Sequence, residues 1–341
     1  MAVKQLWQYV PKRSQIAAAF VAVILGLSTV HAAGFRKLDA EGLHMGVWYP
    51  SDTPTTLQRL GPFETKMARD APVQVGQHQL VLLSHGIGGR YRNHYLTAQA
   101  LADSGYMVIA PQHEAANLVF VGGSRLAQAL DHRYTELAKA LQVVRKDAEF
   151  RDHIATLPVH GVGYSLGGAT IMLASGAGFS SERVTQYCRE KEDLDPEYCE
   201  TPAFIYRMFQ SFQNDSNLRP KRDPFRNPPL VTGKAILVAP AFQGLDLEQP
   251  LAMADLTVIA IGGDRIAKPE FHAKPLAEAA AQQVPTRFKT VQGHHYAFIA
   301  PFPKWLTDKE DIPVAKDPEG FNRPAFLQAV NEIILDVLPG S

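Results

Sequence analysis

Short apolar, β-branched runs alternate along this chain with longer stretches whose apolar residues recur every three or four positions. The first kind predicts buried strands and the second amphipathic helices. Their alternation predicts an α/β fold, a mostly parallel sheet covered by helices. "HMGVWYP" (44–50) reads as an early strand and "QLVLLS" (79–84) as a strongly apolar one. The helical stretch "NHYLTAQALADSG" stops at Gly105, and "YMVIAPQ" is the next strand. A long helix from about Ser124 to Lys146 leads into the strand "PVHGVGY" and the helix "LGGATIMLASG". "KAILVAP", "LTVIAIGG" and "TRFKTV" are further strands, and "RPAFLQAVNEIILDVL" is a closing amphipathic helix. Residues 178–232 break this rhythm with charge and proline, yet "PEYCETPAFIYRMFQSF" keeps helical spacing. One domain with an inserted helical cap at about 178–232 is the simplest account.

The 341 residues carry 34 basic and 34 acidic side chains. A formal charge of zero gives no broad field for nucleic acid or an anionic membrane. The small cluster Arg219, Lys221 and Arg222 reads as a solvated face. The first residues stand apart from the fold pattern. Lys4, Lys12 and Arg13 precede the apolar run "IAAAFVAVILGLSTV", and "VHAAG" follows it. A basic start, a short apolar core and a small-x-small site predict a secretory signal peptide over residues 1–32, cleaved after Ala32. An uncleaved anchor is the alternative, but the run is shorter than the ~20 residues a span needs. The mature domain then covers residues 33–341 and is exported. In that setting the only two cysteines, Cys188 and Cys199, read as a local disulfide.

Residues 163–167, "GYSLG", spell G-x-S-x-G between a strand and a helix. That context turns a common five-letter pattern into a candidate nucleophile, Ser165, exposed on a tight turn. The helix starting at Leu166 aims free amides at the same spot, which suits a developing oxyanion. A glycine-rich turn with a bystander serine is the bland alternative. A phosphate loop is not: there is no lysine, and the glycines miss G-x-G-x-x-G spacing. "SHGIGG" (84–89), directly after an apolar strand, supplies a second candidate donor in the amide of Ile87. His85 reads as a structural residue of that loop.

A serine nucleophile needs a base, and the base needs an acid to fix its tautomer. Asp264 follows one strand and His294–His295 follow the last, so all fall at the carboxyl edge of a parallel sheet, with Ser165. Asp246 is a rival acid at the same edge, whereas Asp255 precedes its strand. Asp264 lies closer to its strand end and is preferred. Spacing does not separate His294 from His295. His160 sits inside a strand, and His113, His132 and His153 lack a serine-linked context. No further ligands accompany the histidine pair or the cysteines to make a metal site.

"LVLLSHGIGGRYRNHYLTAQALADSGYMVIAPQHE" together with "GYSLGGATIM" resembles bacterial secreted dienelactone-hydrolase-like proteins and the related platelet-activating-factor acetylhydrolases. "GFRKLDAEGLHMGVWYP" is similar to their amino-terminal strands, and "QGHHYAFIAPF" to their histidine segment. In that segment a histidine stands three residues before a phenylalanine, which selects His295 ahead of Phe298. The resemblance implies an α/β-hydrolase fold, a mechanism without metal or cofactor, and a Ser165–His295–Asp264 triad. It also implies oxyanion donors at Ile87 and Leu166. One departure is that dienelactone hydrolases proper use a cysteine where this chain has Ser165.

The expected activity is cleavage of carboxylic esters, small or lipid-like, through an acyl-enzyme. Tyr206, Met208, Phe209 and Phe212 of the insertion either cover the acyl pocket or form the cap's own core. Peptide or amide cleavage on the same triad, and a catalytically silent binding protein, are the competing readings.

Overall fold

The computed structural model describes residues 32–113, 123–199, 225–309 and 312–338. The leader expectation up to residue 31 lies outside them. So do Tyr206, Met208, Phe209 and Phe212, the cluster Arg219, Lys221 and Arg222, and with them residues 200–224 of the inserted cap.

The first strands are β1 (Ala32–Ala40), β2 (Leu43–Ser51), β3 (Thr56–Leu60), β4 (Phe63–Arg69), β5 (His78–Ser84), β6 (Met107–Pro111) and β7 (Ile154–Tyr164). They are followed by β8 (Gly178–Phe179), β9 (Phe225–Arg226), β10 (Lys234–Val238), β11 (Leu245–Asp246), β12 (Asp255–Ile261) and β13 (Thr286–Val291). Ten of these form one sheet, in the order β13-β12-β10-β7-β5-β6-β2-β1-β4-β3. The segment from β13 to β6 is parallel, and β2 joins it antiparallel to β6. Strands after β5 first go to one side (β6) and then to the other (β7), so the sheet's switch point lies at the β5–β7 pair. Ligands of open α/β sheets bind above that point.

Helices α1 (Tyr95–Asp103), α2 (Gly123–Lys146), α3 (Leu166–Ala174) and α4 (Ser181–Lys191) follow in chain order. After them come α5 (Ala273–Ala280), α6 (Lys304–Thr307) and α7 (Arg323–Val337). The central strands are apolar on both faces because both are covered. In β5, Leu80 and Leu82 pack with Leu130 and Leu137 of α2 and Ile171 of α3. Val81 and Leu83 face Tyr95 and Leu101 of α1 and Val330 and Ile334 of α7. Helix α1 ends where its sequence predicts. Gly105 takes φ +97°, and the Tyr106 and Gly105 amides donate to the Leu101 and Ala102 carbonyls, a glycine-terminated cap. None of the described helices is long and apolar enough to cross a membrane.

Cys188 and Cys199 form a disulfide with Cα atoms 5.6 Å apart. It closes a segment that folds onto the stretch after β12. The buried Asp195 Oδ2 accepts from Tyr187 Oη (2.8 Å) and His272 Nε2 (2.9 Å), and Arg265 pairs with Glu197 (2.5 Å). Closing so short a loop is worth about 3 kcal/mol through the unfolded chain. A Cys188→Ser/Cys199→Ser variant is therefore expected to melt about 5 °C lower, measured by calorimetry of the oxidised and variant proteins.

Buried neutral histidines make the fold acid-sensitive. Burial lowers His94 and His160 to about 4, the latter with help from Lys234. Burial and then the Arg133 charge hold His85 and His113 well below the usual value. Below pH ~6.5 the unfolded chain takes up protons that these native rings refuse, so stability falls with pH. His94 and His160 alone each contribute a loss of about 1.4 kcal/mol per pH unit between their unfolded and folded values. Denaturant titrations from pH 7 to 4.5 should show a steep decline; a flat profile to pH 5 would contradict the neutral assignment.

Candidate active site

Strand β7 delivers the chain to Ser165, which bends into α3 with φ +52°, a left-handed value rare for a residue with a side chain. Such strain is kept where surroundings over-determine it. The Ser165 amide donates to the Val238 carbonyl (3.0 Å), while its carbonyl accepts from Gly168 (2.8 Å) and Ala241 (3.2 Å). The flanking glycines are required by contact. A Cβ on Gly163 would meet the Gly167 carbonyl, and one on Gly167 would run into the Ser84 carbonyl oxygen. Backbone thus lies directly against backbone at the joint between β5, β7 and α3.

Ser165 Oγ lies 3.0 Å from His295 Nε2, and His295 Nδ1 lies 2.6 Å from Asp264 Oδ2. The second carboxylate oxygen, Oδ1, accepts from the Ile266 and Ala267 amides, both at 2.8 Å. All three side chains are buried. Burial pushes the Asp264 carboxyl up, but His295, by charge and hydrogen bond, and the two amides outweigh it and hold it below its ordinary value. With an ionised Asp264, Nδ1 carries the ring proton and Nε2 is free to accept from the Ser165 hydroxyl.

The neighbouring histidine points elsewhere: His294 Nε2 lies 2.8 Å from Asp317 Oδ1. Asp246 faces Arg183 (3.5 Å) and Asp255 faces Arg287 (3.7 Å), so neither rival carboxylate lies at the ring. The turn carrying His295 is fixed from three sides by groups the sequence did not flag. Tyr164 Oη donates to the His295 carbonyl (2.7 Å), and His94 Nδ1 to the Phe298 carbonyl (3.1 Å). The buried Arg323 donates through Nη1 to the carbonyls of Tyr296 (3.0 Å) and Ile299 (3.1 Å).

Leu166, the first residue of α3, has an amide that helical pairing does not use. In the loop after β5 the turn is closed by Gly89 N–H on the Gly86 carbonyl (3.2 Å), a bond that leaves out the Ile87 amide. Ile87, Ser165 and His295 line one cleft of about 180 Å³, walled by Tyr296, Ile299, Phe302 and Val314. A larger hollow of about 450 Å³ lies beyond Phe302, among Lys304, Asp308 and Lys309, and reaches neither Ser165 nor His295. Among the described residues no group of three or more His, Cys, Asp or Glu side chains is arranged to hold a metal.

His113 does have a serine partner, though not Ser165: its Nε2 lies 3.0 Å from Ser84 Oγ, and its Nδ1 lies 2.7 Å from Glu136 Oε2. The pairing brings together residues of β5, the loop just after β6 and α2, so no local spacing announces it. His85 holds its loop as expected, with Nδ1 on the Gly86 carbonyl (2.7 Å) and Nε2 accepting from the His113 amide (3.1 Å).

No protein-family model and no curated protein matches the sequence. Among solved structures, a ferulic acid esterase from Streptomyces cinnamoneus is similar, with a TM-score of 0.51 over 90% of this chain and 88% of that one. The two are 17% identical, so the likeness speaks for architecture. Parallel sheet, flanking helices and the serine turn after β7 together make this an α/β-hydrolase fold.

Proposed function

We propose that the protein is an exported serine hydrolase that cleaves carboxylic esters through an acyl-enzyme. The observation that carries this reading is the hydrogen-bonded run Ser165 Oγ–His295 Nε2, His295 Nδ1–Asp264 Oδ2 beneath an apolar cleft. His295 takes the Ser165 proton as Oγ attacks the ester carbonyl carbon, and Asp264 stabilises the imidazolium without itself taking the proton. The amides of Ile87 and Leu166 receive the oxyanion. His295 then protonates the departing alkoxide. Water, deprotonated by the same nitrogen, releases the acyl group and restores Ser165.

Apolar cleft walls favour an uncharged acyl or aryl group. The similar fold of an enzyme named a ferulic acid esterase supports esters over amides at the level of analogy. Membership of the secreted dienelactone-hydrolase-like group, with its leader over residues 1–32, belongs to the same proposal. The disulfide supports export, since such bonds persist in oxidising compartments.

The deciding experiment measures turnover of p-nitrophenyl esters of increasing acyl length by the mature chain, alongside fluorophosphonate labelling. Labelling with turnover supports the esterase. Labelling without turnover of any ester points to amide cleavage, and absence of both points to a silent binding fold.

A further inference from the structure

Behind the loop that carries Ile87 lies a buried polar array that the proposed mechanism does not use. Its centre is Arg133, in the middle of α2, with a side chain excluded from water. Arg133 Nε donates to Thr170 Oγ1 (2.9 Å), and Thr170 in turn donates to the Leu166 carbonyl (3.0 Å). Arg133 Nη2 donates to Ser84 Oγ (3.2 Å) and to the His85 carbonyl. Ser84 donates onward to His113 Nε2, and His113 Nδ1 donates to Glu136. The remaining nitrogen, Nη1, is buried with no hydrogen-bond partner among the described residues.

One guanidinium therefore ties together the two segments that carry the proposed oxyanion donors. Ser84 and His85 lead directly into Ile87, while Thr170 and Leu166 form the first turn of α3. The segments also touch at Ser84 and Gly167 without room for a methyl group, so a shift in one is transmitted to the other. Stability alone does not account for the arginine. Burying a charge costs several kcal/mol before its pairings are counted, and apolar replacements of buried ion pairs are often as stable.

From this geometry we infer that Arg133 is a positioning residue for the oxyanion site. It sets the separation of the Ile87 and Leu166 amides and adds a fixed positive charge behind them. The inference rests on the serine-hydrolase reading above. It predicts a defect in transition-state stabilisation and not in ground-state binding.

The test uses Arg133→Lys and Arg133→Met, with Thr170→Val as a near-isosteric cut of one arm. Each variant is checked for folding by its melting curve. Two quantities are then read: kcat and KM on the best p-nitrophenyl ester, and affinity for a trifluoromethyl ketone that adds to Ser165 and places an oxyanion in the site. For the arginine variants kcat should fall about 10–100-fold, short of the 10²–10³ seen when an oxyanion donor itself is removed. KM should stay within about threefold, ketone affinity should fall in step with kcat, and the pH profile of kcat/KM should not move. Thr170→Val should lose about threefold or more in the same two quantities.

A folded arginine variant with full kcat, or one whose kcat falls while ketone affinity is retained, would overturn the inference. If neither arginine variant folds, an unchanged Thr170→Val overturns it by itself. A wild-type protein with no turnover and no ketone binding fails at the first measurement and removes the underlying reading as well.

Discussion

Replacing Ser165 with alanine is expected to lower kcat by about 10⁵–10⁶-fold on any ester the protein turns over, with fluorophosphonate labelling abolished. The structure makes this a clean deletion. Among the described residues Ser165 Oγ has one polar side-chain partner, His295 Nε2, and the backbone bonds that hold the turn belong to the residue's amide and carbonyl. Alanine occupies the same positive φ as serine, with a similar Cβ, so the melting temperature should stay within a few degrees. His295→Ala should cost about as much. The double variant should be scarcely slower than either single one, because nucleophile and base act as a unit. A Ser165→Ala protein retaining a tenth of wild-type turnover would place the chemistry elsewhere in the molecule.

The meeting of Ser165, Asp264 and His295 at one sheet edge follows from element order, which the apolar runs disclose because strands buried on both faces are continuously hydrophobic. Other parts stayed hidden for physical reasons. The hairpin of β3 and β4 has mixed charged and apolar positions and lies at the sheet margin, so neither burial nor periodicity marks it strongly. Adjacent histidines share one local pattern. Only the turn from His295 to Phe298, held by Tyr164, His94 and Arg323, aims one ring at Ser165 and the other at Asp317. Arg133, Ser84, His113 and Glu136 are scattered across the chain and converge only once α2 packs on the sheet. Their chemistry is tertiary.

Asp264→Asn should lower kcat by about 10⁴-fold, although it changes one atom and keeps the side chain's shape. The cause lies in the two backbone amides at Oδ1. Ile266 and Ala267 both present N–H groups to that position, so the asparagine must turn its carbonyl oxygen toward them. Its NH₂ then faces His295 Nδ1, where the carboxylate oxygen had stood. A donor there forces Nδ1 to accept, the ring proton moves to Nε2, and Nε2 no longer accepts the Ser165 proton. The base is disabled by its tautomer, with the fold intact. Asp246→Asn serves as the control: its carboxylate faces a half-exposed Arg183 at 3.5 Å, a pairing worth under about 1 kcal/mol, and activity should stay within about twofold. Steady-state kinetics on both variants discriminate the two carboxylates. A large loss in Asp246→Asn with Asp264→Asn near wild type would reassign the acid and, with it, the direction from which His295 is held.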